Sequence, residues 1–391
     1  MKNLTLCKAL TFIRFFAEAL FFPYISLYFS SKGLDVSQIG ILIAAIPITA
    51  ILCAPIYTKL CANPRKTKTI LMVMSFIEAI FIIILTFTNH FVLSLLGIIL
   101  ISIISSSNYG MIDSLLTLIA KEEGKRYTSV RIYGSTSYMF GVLIAGVITK
   151  YFSYAVSFYV ACVLFIIVSV LYFFIKAPKH LLEEKKKPKL KEIRTNKLFL
   201  GYVLFYVLFL GSMQVGDDFF SLYMESKGGG EYYNLVSFGF IGIEIITMLL
   251  LNIFGNKLGL KLFFVSSILL VFRNIAHGIE GTSLGFIIGF QMLRGVIWAI
   301  ALYLSSSFVS EILGYKLASQ GIIIVMLGVQ IFSAVFKLSG GYIIETVGYS
   351  NFYFILFFFS FLAFVYFCFY YFAYKKYERR QKETLMSKVE L

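Results

Sequence analysis

The chain has 391 residues, of which 59% are hydrophobic and only 14% are charged. Its mean hydropathy of +0.86 excludes a set of water-soluble domains, because such domains carry about 25% charged residues. The formal net charge of +15 is spread over short polar segments between long apolar runs. This placement excludes a nucleic-acid-binding protein and indicates one that spans a lipid bilayer.

Twelve apolar runs are long enough to cross the hydrocarbon core, which requires about 20 residues per helix. In the first half they cover 6–30, 38–59, 69–88, 91–120, 128–150 and 154–176. In the second half they cover 198–225, 233–255, 262–279, 284–310, 319–347 and 351–374. We therefore expect an all-α integral membrane protein with twelve transmembrane helices in two pseudo-symmetric six-helix bundles.

Two observations divide the chain near its midpoint. The segment 177–197 is rich in lysine and contains a proline, so we expect a solvated connector. A Ser-Leu-Tyr motif at 26–28 recurs at 221–223, and a Gly-x-Ile motif at 146–148 recurs at 341–343 with the same offset. This repetition favours an internal duplication. The expected organisation is a first bundle (1–176), a cytoplasmic linker (177–197), a second bundle (198–374) and a basic cytoplasmic tail (375–391).

The distribution of lysine and arginine predicts the topology. If the first residue lies inside the cell, the outer loops hold only Lys32, Lys150 and Lys227, and the other loop lysines and arginines lie inside. Basic residues concentrate on the cytoplasmic side of membrane proteins. We therefore expect a multi-pass plasma-membrane protein with both termini in the cytoplasm.

The motifs of several other classes are missing from the sequence. The five cysteines show no pairing pattern and no CxxC spacing, so neither a disulfide framework nor a metal site is expected. There is no nucleotide-binding loop, no dinucleotide fingerprint and no HExxH motif. We therefore expect neither an enzyme nor a cofactor.

Several charged residues in the first half lie inside the predicted spans. Arg14 and Glu18 are one turn apart on the first helix, where they either form a local ion pair or face inward together. Pro23 is expected to bend this helix. Glu78 lies near the centre of the third helix and has no partner close in sequence.

The fourth helix carries a run of polar residues, three serines at 105–107 followed by Asn108, and then Asp113. This face requires water or protein around it. Arg131 opens the fifth helix at a depth within about one turn of Asp113, so the two side chains are expected to face each other.

The second half has a matching set of charges. Glu244 on the eighth helix and Arg273 on the ninth lie at similar depth. Lys337 on the eleventh helix lies at a depth close to that of Asp217 and Asp218 on the seventh. Acids and bases in similar number inside a membrane are typical of a polar cavity.

The residues at this point resemble the major facilitator superfamily, specifically the branch that contains lactose, nucleoside and phenylpropionate permeases. The stretch GILIAAIPITAILCAPIYTKL at 40–60 is similar to the second helix of that branch. Asp113 is followed eighteen residues later by Arg131 in an Arg-Ile-Tyr-Gly-Ser context, the spacing of an acid and an arginine in the lactose permease sugar site. Tyr138 takes the position of the ring-stacking aromatic in those permeases.

Further motifs both extend and limit the resemblance. The sequence Gln-x-Leu-Arg at 291–294 is similar to the tenth-helix signature of the phenylpropionate type, with arginine in place of the usual histidine. The loop after the second helix has Thr58 and Ala62 where the superfamily motif has glycine and aspartate. The tenth helix also has no carboxylate before Glu311, so another acid must carry any coupled proton.

The resemblance implies a secondary transporter that alternates two bundles around a central site, driven by protons and acting on a sugar or nucleoside as a monomer. The expected substrate-binding residues are Asp113, Arg131, Tyr138, Asn108, Gln291 and Arg294. For proton coupling we expect Glu244 beside Arg273, with Glu18 and Glu78 as alternatives.

Other interpretations stay open from the sequence. Lys337 is expected to form a structural ion pair with Asp217 or Asp218, a pairing similar to one in lactose permeases, unless it binds an anionic substrate instead. The alternative functions are a drug or toxin exporter of the same fold and a non-transporting receptor or assembly protein with a transporter-like body.

Overall fold

The computed structural model describes residues 3–60, 64–106, 108–125, 128–177, 193 and 195–389. These ranges contain helices, turns and short connections, and no strand occurs within them. The α-helices are α1 (Asn3–Phe21), α2 (Ile25–Ser31), α3 (Val36–Leu60), α4 (Pro64–Thr86), α5 (Phe91–Ser105), α6 (Asn108–Glu122), α7 (Thr128–Tyr151), α8 (Tyr154–Phe174), α9 (Lys197–Ser226), α10 (Tyr233–Leu258), α11 (Lys261–Gly278), α12 (Leu284–Gln291), α13 (Leu293–Leu313) and α14 (Tyr315–Val389).

Eleven segments of the described chain are long and apolar enough to cross a membrane. The predicted all-helical membrane fold is confirmed, and the last two predicted spans are two helices that meet at a kink. They lie within one segment, Gln320–Arg379, whose backbone leaves the helical region at Gly348 with φ 83° and ψ 168°. Glycine adopts this left-handed conformation without the steric cost of a Cβ atom. The predicted spans 319–347 and 351–374 lie on either side of this glycine.

Three spans of the described chain contain an interruption of the α-helix. The first changes to a 3₁₀ turn at Phe22–Tyr24, as Pro23 predicts. The span predicted over 91–120 corresponds to one apolar segment, Phe91–Glu122, in which α5 ends at Ser105 and α6 begins at Asn108. The Ser106 hydroxyl donates to the carbonyl oxygen of Ile103 at 3.2 Å. The third interruption, at Met292, separates α12 from α13.

The chain forms two compact units. The first unit comprises Met1–Lys185, Asp217–Gly242 and Ser333–Gly348, and the second comprises Lys186–Gly216, Ile243–Phe332 and Tyr349–Leu391. The first unit thus holds parts of α9, α10 and α14 in addition to α1 to α8. The predicted linker lies largely outside the described residues, as do Ser107 and Ala62.

Each unit has its own apolar core. In the first unit, buried side chains from α1, α4, α6 and α8 pack together, among them Leu10 and Leu116. The core of the second unit is aromatic. Phe205 lies with its ring centroid 4.5 Å from that of Phe367 and 5.2 Å from that of Phe263, and all three are fully buried. These phenylalanines therefore serve internal packing.

Candidate functional site

The most deeply buried charges of the first unit form one cluster on α1 and α4. The Arg14 Nε donates to Glu18 Oε1 at 2.8 Å, one turn along α1. Its Nη1 and Nη2 donate to the two carboxylate oxygens of Glu78 on α4, at 2.7 and 3.3 Å. The guanidinium also lies 4.5 Å from the ring centroid of Phe165 on α8. Each of the three charged residues is no more than 1% exposed, so we name Arg14, Glu18 and Glu78 the buried charge cluster.

Asn108, predicted in the substrate site, lies against this cluster. It starts α6 just after the break in the fourth span, and it is 1% exposed. Its Nδ2 lies 3.4 Å from Glu78 Oε2, and its Oδ1 has no hydrogen-bond partner. The structure thus brings together Glu18, Glu78 and Asn108, which the sequence assigned to two different roles.

Arg131 is held against an aromatic ring near the start of α7. Its Cζ lies 4.2 Å from the ring centroid of Phe15 on α1, a cation–π arrangement. Gly134, one turn later, makes room for it, because a Cβ there would lie 2.6 Å from Arg131 Nη1. That Nη1 is buried and has no hydrogen-bond partner. The Arg-Ile-Tyr-Gly sequence therefore presents a guanidinium with a donor left for another molecule.

The other predicted residues of this half lie on the same helices. Asp113 is half-buried on α6, and Thr117 donates to its backbone oxygen at 2.6 Å. Tyr138 is half-buried on α7, about two turns from Arg131 and on the same side of that helix. Direct pairing of Asp113 with Arg131 stays a prediction.

In the second unit, Arg294 and Glu244 form a partly exposed pair. Arg294 Nη1 lies 3.8 Å from Glu244 Oε2, and the two side chains are 19% and 18% exposed. Arg294 also lies with its Cζ 5.8 Å from the ring centroid of Trp298, one turn along α13. An acid, a base and an aromatic ring that all reach solvent are the groups that bind a hydroxylated ring compound.

Arg273 is buried in the same unit. Its Nε donates to Gln291 Oε1 at 3.0 Å, and both residues are no more than 1% exposed. Gln291 is the last residue of α12, next to the interruption at Met292, and Arg294 lies in the first turn of α13. In the structure Glu244 forms an ion pair with Arg294, and the pairing of Glu244 with Arg273 stays a prediction.

Lys337 lies in the first unit, close to the aspartates expected to pair with it. Its Nζ is 2.6 Å from Asp218 Oδ2, and the side chains are 10% and 38% exposed. The two side chains therefore form an ion pair within the first unit.

Around this pair, two helices meet with their backbones in contact. A Cβ at Gly40 on α3 would lie 2.8 Å from the carbonyl oxygen of Lys337. A Cβ at Gly341 on α14 would lie 2.5 Å from the carbonyl oxygen of Val36. Only glycine allows helices to approach this closely.

The predicted outer end of the first unit carries further contacts between first-half and second-half elements. Ser30 Oγ donates to Glu225 Oε2 at 2.8 Å, and Lys150 pairs with Glu231 at 3.2 Å. Asn234 on α10 packs so closely on Gly146 that a Cβ at this glycine would lie 2.1 Å from the asparagine Cβ. Together with the Gly40 contact, these form what we name the outer closure.

Some residues of the site carried no distinct signal in the sequence. Phe15 and Phe165 are two of 42 phenylalanines, so their contacts with arginines could not be singled out. Trp298 is the single tryptophan of the chain, four residues after Arg294 and hence on the same helix face. This four-residue spacing is the feature of the sequence that could have identified Trp298 as part of the site.

Comparison with known proteins places this geometry among membrane transporters. A model of the MFS_1 like family matches residues 4–355. The maltose permease of Geobacillus stearothermophilus is 26% identical over 149 residues, 38% of this chain and 38% of the permease. The uncharacterized transporter YwbF of Bacillus subtilis (strain 168) is 23% identical over 257 residues, 65% of this chain and 64% of that protein. Both matches thus span less than two thirds of the relative.

Solved structures match over nearly the full length. The nucleoside transporter NupG superposes with a TM-score of 0.77 at 15% identity, covering 96% of this chain and 100% of NupG. A POT family transporter in complex with a thioalcohol-conjugated peptide superposes with a TM-score of 0.74 at 13% identity, covering 94% of this chain and 96% of that one. At such identities these matches show a shared fold.

The Lys337–Asp218 pair leads to a stability test. We expect Lys337→Ala to leave the aspartate without its cation and to lower the free energy of unfolding by about 1–3 kcal/mol, less than for a fully buried pair because Asp218 is part exposed. The double variant with Asp218→Ala should recover most of this loss, whereas the double variant with Asp217→Ala should not. Thermal unfolding of the purified protein in detergent measures each effect. Equal losses in the single variant and both double variants would contradict a structural pair.

Proposed function

The chain belongs to the MFS_1 like family and is a membrane transporter of the major facilitator type; from this premise we propose that it moves a sugar or a nucleoside together with protons across the plasma membrane. The proposed mechanism is alternating access, in which a central site opens to one side of the membrane at a time. The observation that carries the proposal is the buried Arg131 donor without a partner, held between Phe15 and Gly134.

A hydroxylated ring fits the groups around Arg131. A guanidinium offers its donors in a planar fork, so it can donate to two neighbouring hydroxyl or carbonyl oxygens at once. Tyr138 and Asp113 supply an aromatic face and an acceptor from α7 and α6. A buried donor that gains its partner only when substrate binds contributes to selectivity, because a ligand that lacks the oxygen leaves the donor unsatisfied.

The second unit supplies a comparable set of groups. Glu244 accepts hydrogen bonds, Arg294 donates them, and Trp298 offers the largest aromatic surface of any side chain. A part-exposed ion pair at 3.8 Å is loose enough for a substrate oxygen to enter between the charges. We propose Arg294 and Gln291 as substrate-binding residues of the second unit.

The substrate class also agrees with the relatives. Among them are a maltose permease and a nucleoside transporter, whose substrates both combine hydroxyl groups with a ring. The aromatic residues of the second unit are used in packing, as the Phe205, Phe263 and Phe367 cluster shows. We therefore favour a polar substrate over an apolar drug.

A ligand panel tests the proposal directly. We expect maltose or a related disaccharide, or else uridine or a related nucleoside, to raise the melting temperature of the purified protein. A ligand at one hundred times its Kd stabilises the folded state by about 2.7 kcal/mol. Ethidium serves as the drug-like comparison. Stabilisation by ethidium, with no effect of any sugar or nucleoside, would contradict the proposed substrate class.

The role of Arg131 is tested by a conservative substitution. Arg131→Lys keeps the charge but removes the planar fork, so we expect the apparent affinity for the stabilising ligand to fall about tenfold or more, or about 1.4 kcal/mol. Isothermal titration of the purified variant measures it. Arg65→Lys, an exposed arginine on α4, is the matched control and should bind as the parent does. An unchanged affinity in Arg131→Lys would remove this residue from the site.

The outer closure predicts how the equilibrium between conformations can be shifted. Gly341→Leu places side-chain atoms where the backbone of Val36 and Ser37 now lies, so α3 and α14 must separate. We expect an introduced Ser30→Cys to react about tenfold faster with a membrane-impermeant maleimide in this background, the result of a shift of about 1.4 kcal/mol. Gly289→Leu is the control, because nothing lies within 4 Å of a Cβ there. Equal reaction rates in both backgrounds would contradict a closure at this end.

A further inference from the structure

The buried charge cluster contains more acids than bases. Arg14 carries one positive charge, and Glu18 and Glu78 each contact it, so the fully ionised cluster has a net charge of −1. All three side chains are at most 1% exposed, and water therefore cannot compensate that charge. A buried carboxylate without its own cation is far less stable than a protonated carboxyl group.

No second cation reaches the cluster from the described helices that pack around it. On α4 and α6 the groups facing it are Glu78 itself and Asn108. On α8 they are the ring of Phe165 and two neutral groups, Tyr172 and Cys162, both within electrostatic reach. On α7 the nearby cation is Arg131, which lies over Phe15 instead.

The surrounding polar atoms fit a protonated carboxyl group. Asn108 Oδ1 is buried and accepts no hydrogen bond while Nδ2 lies 3.4 Å from Glu78. The two ends of an amide are distinguished only by their partners, so turning the amide over places Oδ1 beside the carboxyl group. A protonated Glu78 could then donate to that oxygen. The unpartnered hydroxyl of Tyr172 is a second polar atom that belongs to no other network in this region.

We propose that the buried charge cluster is a proton-binding site: Glu18 and Glu78 share one proton, while Arg14 donates hydrogen bonds to both acids and Asn108 lies against Glu78. Sharing one proton between two carboxyl groups gives a neutral cluster, since one ionised carboxylate then balances the guanidinium. Glu244 differs, because it has Arg294 as its own cation and its side chain is 18% exposed. If the chain is a proton-coupled transporter, as proposed above, this pair carries the coupled proton and releases it when the conformation admits water.

Infrared spectroscopy tests the site without any substrate, with the proton itself as the probe. The purified wild-type protein at pH 7 should show the carbonyl stretch of a protonated carboxylic acid that exchanges slowly in heavy water. Replacing either acid removes the need for the proton, because Gln is neutral and the remaining carboxylate balances Arg14. We therefore expect the band to disappear in Glu18→Gln and in Glu78→Gln and to persist in Glu345→Gln, an exposed acid. A missing band in the wild type, or an unchanged band in both cluster variants, would overturn the proposal.

Thermal unfolding provides a second readout that a shared proton predicts. Each single Gln variant leaves one carboxylate for Arg14 and should melt close to the wild type. The double variant leaves the guanidinium buried without an anion and should melt well below the sum of the single effects. If each single variant alone destabilised the protein as much as the double variant, both carboxylates would be ionised in the wild type and the proposal would fail.

Transport assays separate this proposal from the proposed function. In vesicles, Glu78→Gln should exchange radiolabelled maltose or uridine down a gradient but lose the accumulation driven by an imposed pH gradient. A wild type that transports neither probe contradicts the proposed substrates, while the infrared result still decides the proton site. Undiminished pH-driven accumulation in both Glu18→Gln and Glu78→Gln would show that the coupled proton binds elsewhere.

Discussion

Placing a charge inside a membrane costs free energy, and this constraint determines much of the structure. Arg14 lowers the cost through contacts with two acids and an aromatic ring. Its guanidinium binds an acid on its own helix, a second acid on α4 and the face of Phe165 on α8, and Glu78 extends the contact to Asn108 on α6. Removing a single partner would leave a charge in a region that water does not reach. The contacts of Arg14 and Glu78 therefore connect four helices of the first unit.

Hydropathy was sufficient to predict the fold, because the bilayer requires long apolar helices whatever their order. The span predicted over 154–176 corresponds to α8, Tyr154–Phe174, and the span over 38–59 corresponds to α3. The exact ends of the helices were less predictable. α5 ends at Ser105 inside the span predicted over 91–120, and Gly348 joins the last two spans through a single residue where a loop was expected.

Depth along a helix predicted the site only in part, since depth gives one coordinate and the rotation of each helix gives another. Depth placed Lys337 with the aspartates of the seventh span, and Asp218 lies 2.6 Å from it. Depth also placed Glu244 beside Arg273, which stays a prediction, but it gave no sign of the ion pair that Glu244 forms with Arg294. For Glu78 the sequence offered no partner, because the partner is 64 residues away on α1. Which helices are neighbours is a property of the folded bundle that no single span encodes.

The strengths of the contacts in the first unit fit the requirements of a transporter. The outer closure consists of an exposed ion pair, Lys150 with Glu231, a hydrogen bond and glycine packing. Exposed ion pairs contribute little to stability, and contacts through glycine bury little surface. Such a closure can open at small cost, as two conformations in balance require. The buried charge cluster has the opposite character, because its charges are strongly held and exchange with water only when the helices around them move. A weak closure and a strongly held charge therefore suit complementary roles: the first sets how easily the conformation changes, and in the mechanism we propose the second makes that change depend on protonation.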